Sequence, residues 1–184
     1  MSKVNKYYQT TYQSPIGMMT IACHGGKICG LWFENQKYYL GSLPEQPVQD
    51  DSPEVFAQVK NWLDRYFSGK KPEITELPLA PTGTEFRRMV WDILCEIPYG
   101  RVITYGEIAK EVAGRMNIKS MSAQAVGGAV GHNPISVIIP CHRVVGAKGS
   151  LTGFAGGIDR KIYLLRHEGA DMSYLFVPKN GTAL

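Results

Sequence analysis

No apolar run in these 184 residues approaches the roughly 18 that a membrane-spanning helix needs. The start, Met1 to Lys6, leads into tyrosines and polar residues rather than an apolar signal segment, so the chain is expected to be cytoplasmic, or nuclear in a nucleated cell. Cysteine is scarce: Cys23, Cys29, Cys95 and Cys141 include no CxxC pair, which argues against a disulfide framework. Cys23-His24 with Cys29 matches no standard zinc spacing, so no metal is expected. The glycine-rich Gly153-Phe154-Ala155-Gly156-Gly157 lacks the GK[ST] ending of a P-loop. Nor are there blocks of like charge. The net charge of +4 is uneven, however: residues 1–80 hold eight basic and eight acidic side chains, and residues 81–184 hold twelve and eight. A solvated surface accounts for four spare charges, and so does a polyanion bound by the second half.

What is present reads as two parts. Residues 1–80 form a small strand-rich α/β unit. Met18 to Cys23 and Lys27 to Phe33 are strands joined by the hairpin signal Gly25-Gly26. Asn35 to Asp51 is loop-like, and Ser52-Pro53-Glu54 opens a helix with Ser52 as its cap and Phe56, Val59 and Leu63 at helical spacing. Pro78 to Thr84 is the expected linker.

Residues 81–184 read as a mostly helical domain. Thr84 caps a helix carrying Phe86, Val90, Ile93 and Leu94, and Thr104 caps a shorter one. Ser122 to Gly131 then packs three glycines and three alanines into ten residues. Glycine within a helix costs roughly 1 kcal/mol relative to alanine, so this composition trades stability for close approach. Either a helix-turn-helix with a smooth face or a tightly packed core helix would require it. Asp159 is expected to cap a last helix ending in Arg166-His167-Glu168, where a carboxylate faces the negative end of the helix dipole.

Between these helices lies Asn133-Pro134-Ile135-Ser136-Val137-Ile138-Ile139-Pro140-Cys141-His142-Arg143-Val144-Val145. An apolar run delivers a thiol, an imidazole and a guanidinium, then resumes. A cysteine here is either a buried structural residue or an activated nucleophile beside a base.

Pro140-Cys141-His142-Arg143-Val144 resembles the signature of the 6-O-alkylguanine-DNA alkyltransferases. The resemblance extends, in order, through Pro98 to Gly106, Ala125 to Ala129, Asn133 to Ile135, Gly153 to Gly157 and Leu164 to Gly169. It implies a ribonuclease-H-like N-terminal domain (1–80) supporting a DNA-binding domain (81–184) with a winged helix-turn-helix-like motif. It also implies a single-turnover transfer of an alkyl group from the 6-oxygen of guanine, less so the 4-oxygen of thymine, in double-stranded DNA to Cys141. The base is flipped out, since a stacked base cannot present its alkyl group to a thiol. In this scheme Cys141, a water, His142 and Glu168 form a relay, Tyr105 donates to the leaving guanine, and Asn133 is a hinge. Gln124, Gly127, Gly128, Arg143, Val144, Ala155 and Gly156 are expected to face DNA or the base. Because neighbours in extended chain point apart, direct contact between Cys141 and His142 is not expected. No cofactor or membrane is implied, and the acting species is a monomer.

Two departures from the family pattern stand out: Gln124 replaces a common arginine, with Arg115 or Lys119 as stand-ins, and Phe154 replaces a tyrosine. A lesion-recognition protein of the alkyltransferase-like group, a methylation-responsive regulator and a cysteine hydrolase are the rival readings. Cys141 argues against the first, the missing cysteine cluster against the second, and the lack of an oxyanion element against the third.

Overall fold

The computed structural model describes residues 6–179, and the chain falls into two compact units. One comprises residues 1–83 with the returning segment Pro134–Ile138, and the other comprises Thr84–Asn133 with residues 139–184.

The first unit is built on a four-stranded sheet of order β3-β2-β1-β4, from β1 (Tyr7–Ser14), β2 (Gly17–His24), β3 (Lys27–Phe33) and β4 (Val48–Gln49). The Gly25-Gly26 hairpin is as expected: His24 pairs with Lys27, and both glycines have positive φ, +56° and +76°. Strand β1 is not among the expected elements, because Tyr7 to Ser14 has no apolar alternation. Its tyrosines and threonines favour the pleated surface, and its pairing with β2 runs its full length. Helix α1 (Glu54–Phe67) buries Phe56, Val59, Trp62 and Leu63. Its cap position is Pro53 and no side chain caps it, so Ser52 does not play the role its identity suggests.

Two corrections concern chain segments that join β3. Pro78 and Ala80 bond the main chain of Ile28 at 2.8 and 2.7 Å, so the first residues of the supposed linker extend the sheet instead. Similarly, Leu31 donates to the Pro134 carbonyl and Ser136 donates to that of Leu31, both at 2.8 Å, which ties 134–138 to the first unit. The run Val137 to Ile139 is therefore a buried turn and not a strand. Val137 adopts φ +72°, a region where a β-branched residue is a rare outlier.

The second unit contains α2 (Glu85–Glu96), β5 (Ile103–Thr104), α3 (Tyr105–Arg115), α4 (Ala123–Gly131), β6 (Val144–Val145) and α5 (Ile158–His167). Thr84 and Thr104 cap α2 and α3 as expected, and Glu107 completes a capping box with Thr104. Ser122 caps α4. Helix α5 begins one residue before Asp159, and its cap position is Gly157 at φ +92°, so Asp159 lies in the first turn. Trp91 of α2 donates to the Ala129 carbonyl at 2.9 Å, securing α2 against α4. No helix among the described residues is long and apolar enough to cross a membrane. Nor do those residues include a group of three or more His, Cys, Asp or Glu able to hold a metal ion. Cys23 and Cys29 are buried, while His24 stacks on Tyr7 with ring centroids 4.4 Å apart.

Candidate active site

The site lies within the second unit, and the short parallel pairing of β5 with β6 is what assembles it. Ile103 pairs with Val144 and Thr104 with Val145. The first residue of α3, Tyr105, is thereby brought beside the chain leaving Cys141-His142-Arg143.

Those three residues form one turn of 3-10 helix, and all are buried. The expectation of extended chain is corrected here. The side chains still part, because successive residues of a 3-10 turn rotate by about 120°. Asn133 caps the geometry from α4's end: its Nδ2 donates to the Ile139 carbonyl at 2.8 Å and to Cys141 Sγ at 3.1 Å. Burial pushes the Cys141 thiol up, and the Asn133 amide, the Lys161 charge and main-chain N–H groups oppose that shift.

His142 has no exposed surface, and its Nε2 lies 2.7 Å from Glu168 Oε1. Burial pulls its pKa down despite the neighbouring carboxylate. A neutral ring that donates Nε2–H to Glu168 carries its lone pair on Nδ1. Nδ1 is buried and has no hydrogen-bond partner among the described residues. A basic nitrogen is thus left unused at the centre of the site.

Glu168, the residue placed against the helix dipole, sits at the C-cap of α5. Arg143 grips it from both sides, Nε to Oε2 at 2.8 Å and a terminal nitrogen to Oε1 at 3.1 Å. Gly100 N adds a bond to Oε2 at 3.1 Å. Burial alone would raise this carboxyl, but His142 and Arg143 hold it well below the ordinary carboxylate range. Gly100 has φ +74°, and a Cβ there would stand 2.6 Å from the Glu168 carbonyl oxygen, so the Pro98-Tyr99-Gly100 turn requires glycine.

Tyr105 faces a groove of roughly 600 Å³ walled by Gln124, Gly127, Thr152 and Gly153 among others. Its hydroxyl donates to the carbonyls of Thr152 at 3.1 Å and Gly153 at 3.3 Å. Burial pushes this phenol up, and the Cys141 charge adds to the effect, so the hydroxyl keeps its proton. Tyr105 therefore lines the groove while its hydroxyl is anchored to the Thr152–Gly153 backbone. On α4, Ala123 to Ala125 and Gly128 are exposed, whereas Val126, Ala129 and Val130 are buried. A Cβ on Gly128 or Gly131 would meet nothing within 4 Å, so internal packing does not explain those glycines.

Cys141, His142, Glu168, Asn133 and Tyr105 thus come together, with Gln124 and Gly127 on the groove wall. Arg143 does not face outward as expected: it is 6 % exposed, and its remaining nitrogen donates to the Ile97 carbonyl at 2.6 Å. Two carboxylate oxygens and a carbonyl match its planar fork, which draws it inward. Val144 is fully buried. Neither Val144 nor Gly128, Ala155 or Gly156 lines the groove, whose wall on that side is Gly146, Ala147, Thr152 and Gly153. Arg115 is held by Glu96 at 2.7 Å and Glu111 at 2.9 Å. Phe154 and His142 form a T-shaped pair with ring centroids 6.5 Å apart.

Lys161 is a site residue that sequence reasoning misses. It has no exposed surface, and its Nζ donates to the carbonyls of Val144 at 2.5 Å and Thr152 at 2.6 Å. The available signal is periodicity: Ile158, Lys161, Leu164 and Leu165 fall on one helical face, which puts a cation among core residues.

Two family models match this chain. The 6-O-methylguanine DNA methyltransferase ribonuclease-like domain covers residues 7–81, and the corresponding DNA binding domain covers 85–170. A methylated-DNA–protein-cysteine methyltransferase of Haemophilus influenzae is 44% identical over 161 residues, 88% of this chain and 86% of the relative. One of Mycobacterium tuberculosis is 42% identical, covering 86% of this chain and 90% of that one. The crystal structure of Mycobacterium tuberculosis OGT in complex with DNA superposes with a TM-score of 0.75 at 40% identity, covering 89% of this chain and 92% of that chain. With both units matched in order and such identity along most of its length, the chain belongs to the 6-O-methylguanine DNA methyltransferase family.

Proposed function

We propose that this protein repairs DNA by direct reversal, moving one alkyl group from the 6-oxygen of guanine, less readily from the 4-oxygen of thymine, irreversibly onto Cys141. The observation that carries this reading is the neutral, buried His142 with Nδ1 unpartnered among the described residues and Nε2 fixed by Glu168 at 2.7 Å, next in sequence to a buried thiol. A thiol near its ordinary pKa of about 8.5 is only a few per cent ionised at pH 7, so a base raises the fraction that can attack.

Double-stranded DNA lies against α4, and the damaged base leaves the stack for the groove beside Tyr105. The Cys141 proton passes to His142 Nδ1 through a bridging water, with Glu168 orienting the ring. Sγ then bonds the alkyl carbon as the carbon–oxygen bond breaks, its electron pair going to the guanine. Tyr105 gives its proton to that guanine and recovers one from the His142 imidazolium by way of water, so the base gains one proton for the one the thiol gave up. A thioether does not return to a thiol, and each molecule acts once. Residues 81–184 bind DNA and carry the chemistry, residues 1–80 support them, and the protein works as a cytoplasmic monomer. Recognition of the lesion without repair is disfavoured by the presence of Cys141 itself.

Intact-mass and peptide analysis after incubation with a duplex containing methylated guanine tests the reading. One added methyl, on Cys141, is expected without any cofactor; no gain, or a methyl elsewhere, rejects it. Burial pushes Cys23, Cys29 and Cys95 up to about 11, 12 and 11, and pushes Cys141 up too, but there the Asn133 amide and the Lys161 charge work against the shift.

Gln124 stands exposed on the groove wall, and its amide is the group available to the gap left by a flipped base. A neutral amide retains hydrogen bonding but lacks a guanidinium's charge and stacking. Gln124→Ala should slow repair of duplex DNA by about tenfold, the value of one net hydrogen bond of about 1.4 kcal/mol, and leave the reaction with free benzylated guanine little changed. Equal losses on both substrates would remove that role.

A further inference from the structure

A serine interrupts the apolar run from Ile135 to Ile139, and it is only 2% exposed. Burying a hydroxyl is costly unless it finds a hydrogen bond. Ser136 Oγ donates to Gln36 Oε1 at 3.2 Å, and the two residues are 100 positions apart in the chain. Gln36 is also buried, and the turn after β3 fixes its amide oxygen, which accepts the Phe33 N–H at 2.8 Å. It is therefore a preset acceptor for the returning segment.

The residue that follows Ser136 is strained. Ile138 N donates to the Ser136 carbonyl at 2.9 Å, and Val137 between them has φ +72°, a γ-turn of the rare, unfavourable hand. A β-branched residue stays in that region only where its flanks are restrained. On one flank Leu31 bonds Pro134 and Ser136 through the main chain, both at 2.8 Å, and Gln36 adds its side chain. On the other, the Ile139 carbonyl accepts Cys141 N and Asn133 Nδ2, both at 2.8 Å, and the same Asn133 nitrogen reaches Cys141 Sγ at 3.1 Å. Residues 134–138 belong to the first unit, while Asn133 before them and Ile139 after them belong to the second. Relaxation at Val137 would move the Ile139 carbonyl, and with it the bonds that fix the sulfur.

We propose that Gln36 and Ser136 are positioning residues for the transfer: their hydrogen bond keeps Val137 in its strained turn and so sets Cys141 Sγ against Asn133. The inference rests on the reading of Cys141 as the alkyl acceptor. It gives the first unit a defined task, which is to hold the segment that leads into the reacting turn.

The test uses Ser136→Ala in the full chain, which removes the hydroxyl and little else. Single-turnover transfer at saturating substrate should slow about fivefold, the effect of one ordinary hydrogen bond. The factor should be the same on a methylated duplex and on free benzylated guanine, with duplex affinity unchanged. In 1H–15N spectra the Asn133 side-chain amide signals, assigned with Asn133→Ala, should shift and their hydrogen exchange should quicken. Val137→Gly supplies the second arm, because glycine takes positive φ without strain. In that background Ser136→Ala should alter neither the rate nor the Asn133 signals. Equal slowing in both backgrounds overturns the proposal. So do unmoved Asn133 signals in Ser136→Ala alone, a result that does not depend on how well the chain tolerates glycine at 137. Lower stability in urea with signals and rate unchanged would mean that the pair only packs. The spectra need no substrate, so shifted Asn133 signals in a chain that transfers no methyl would support the positioning and reject the function.

Discussion

Glu168→Ala is expected to lower the stability of the folded chain by about 3–5 kcal/mol, the usual result of removing one partner from a buried ion pair. The Glu168 side chain has no exposed surface, and that of Arg143 is nearly buried. Deleting the carboxylate leaves a guanidinium with the Ile97 carbonyl but no anion, and frees His142 Nε2. If uncompensated charge is the cause, adding Arg143→Met should recover part of the loss. Urea unfolding of the two single variants and the double variant decides it: a Glu168→Ala cost below about 1 kcal/mol, or a double variant as poor as the sum of the singles, contradicts the account.

The same network sets the pH dependence. Glu168 is depressed in the folded state, so the stability it contributes is present above the ordinary carboxylate range and lost as pH falls toward its folded value. His142 is also depressed, and the unfolded chain binds more protons than the folded one below the ordinary histidine value of about 6.5. Both effects have one sign. Wild-type stability should fall from pH 7 toward pH 4, and Glu168→Gln should flatten the lower part of that curve.

Gly153→Ala should slow transfer by about a hundredfold, the typical penalty for displacing a positioned group by an ångström. An added Cβ would stand 2.3 Å from the Tyr105 hydroxyl, and the backbone has φ +74°. The left-handed conformation costs an alanine roughly 1–2 kcal/mol, before any clash. Tyr105→Phe separates the two effects. In wild type it removes a hydrogen bond and lowers stability, whereas in Gly153→Ala it removes the clashing oxygen and should raise stability. Thermal melts of the four chains show whether the sign reverses, and no reversal would exclude the steric explanation.

Much of the site is legible in residue type and order. Cys141-His142 stands out because two polar groups interrupt an apolar run, and Glu168 because a carboxylate ends a helix at its negative pole. Thr84 and Thr104 announce their helices because a cap is a local contract between a hydroxyl and an N–H three residues on. Capping by Ser52 and Asp159 fails for an equally local reason: each helix starts at a different residue, with Pro53 and Gly157 in the cap positions. Strand β1 is hidden because its support comes from its partner β2 and not from its own pattern.

By itself, then, the sequence determined the strand-rich and helical halves, the family, and Cys141, His142 and Glu168 as the candidates for the site, since those follow from residue type, order and helix ends. Tertiary structure decided which way the charges point. Arg143 turns inward because Glu168 and the Ile97 carbonyl form an acceptor set from elements far apart in the chain. Lys161 is a core residue because β6 and the Thr152 loop present carbonyls to it. The Val137 to Ile139 run is a turn because β3 captures residues 134–136 just before it. A buried charge is stabilised by partners distant in sequence, and no local pattern announces them.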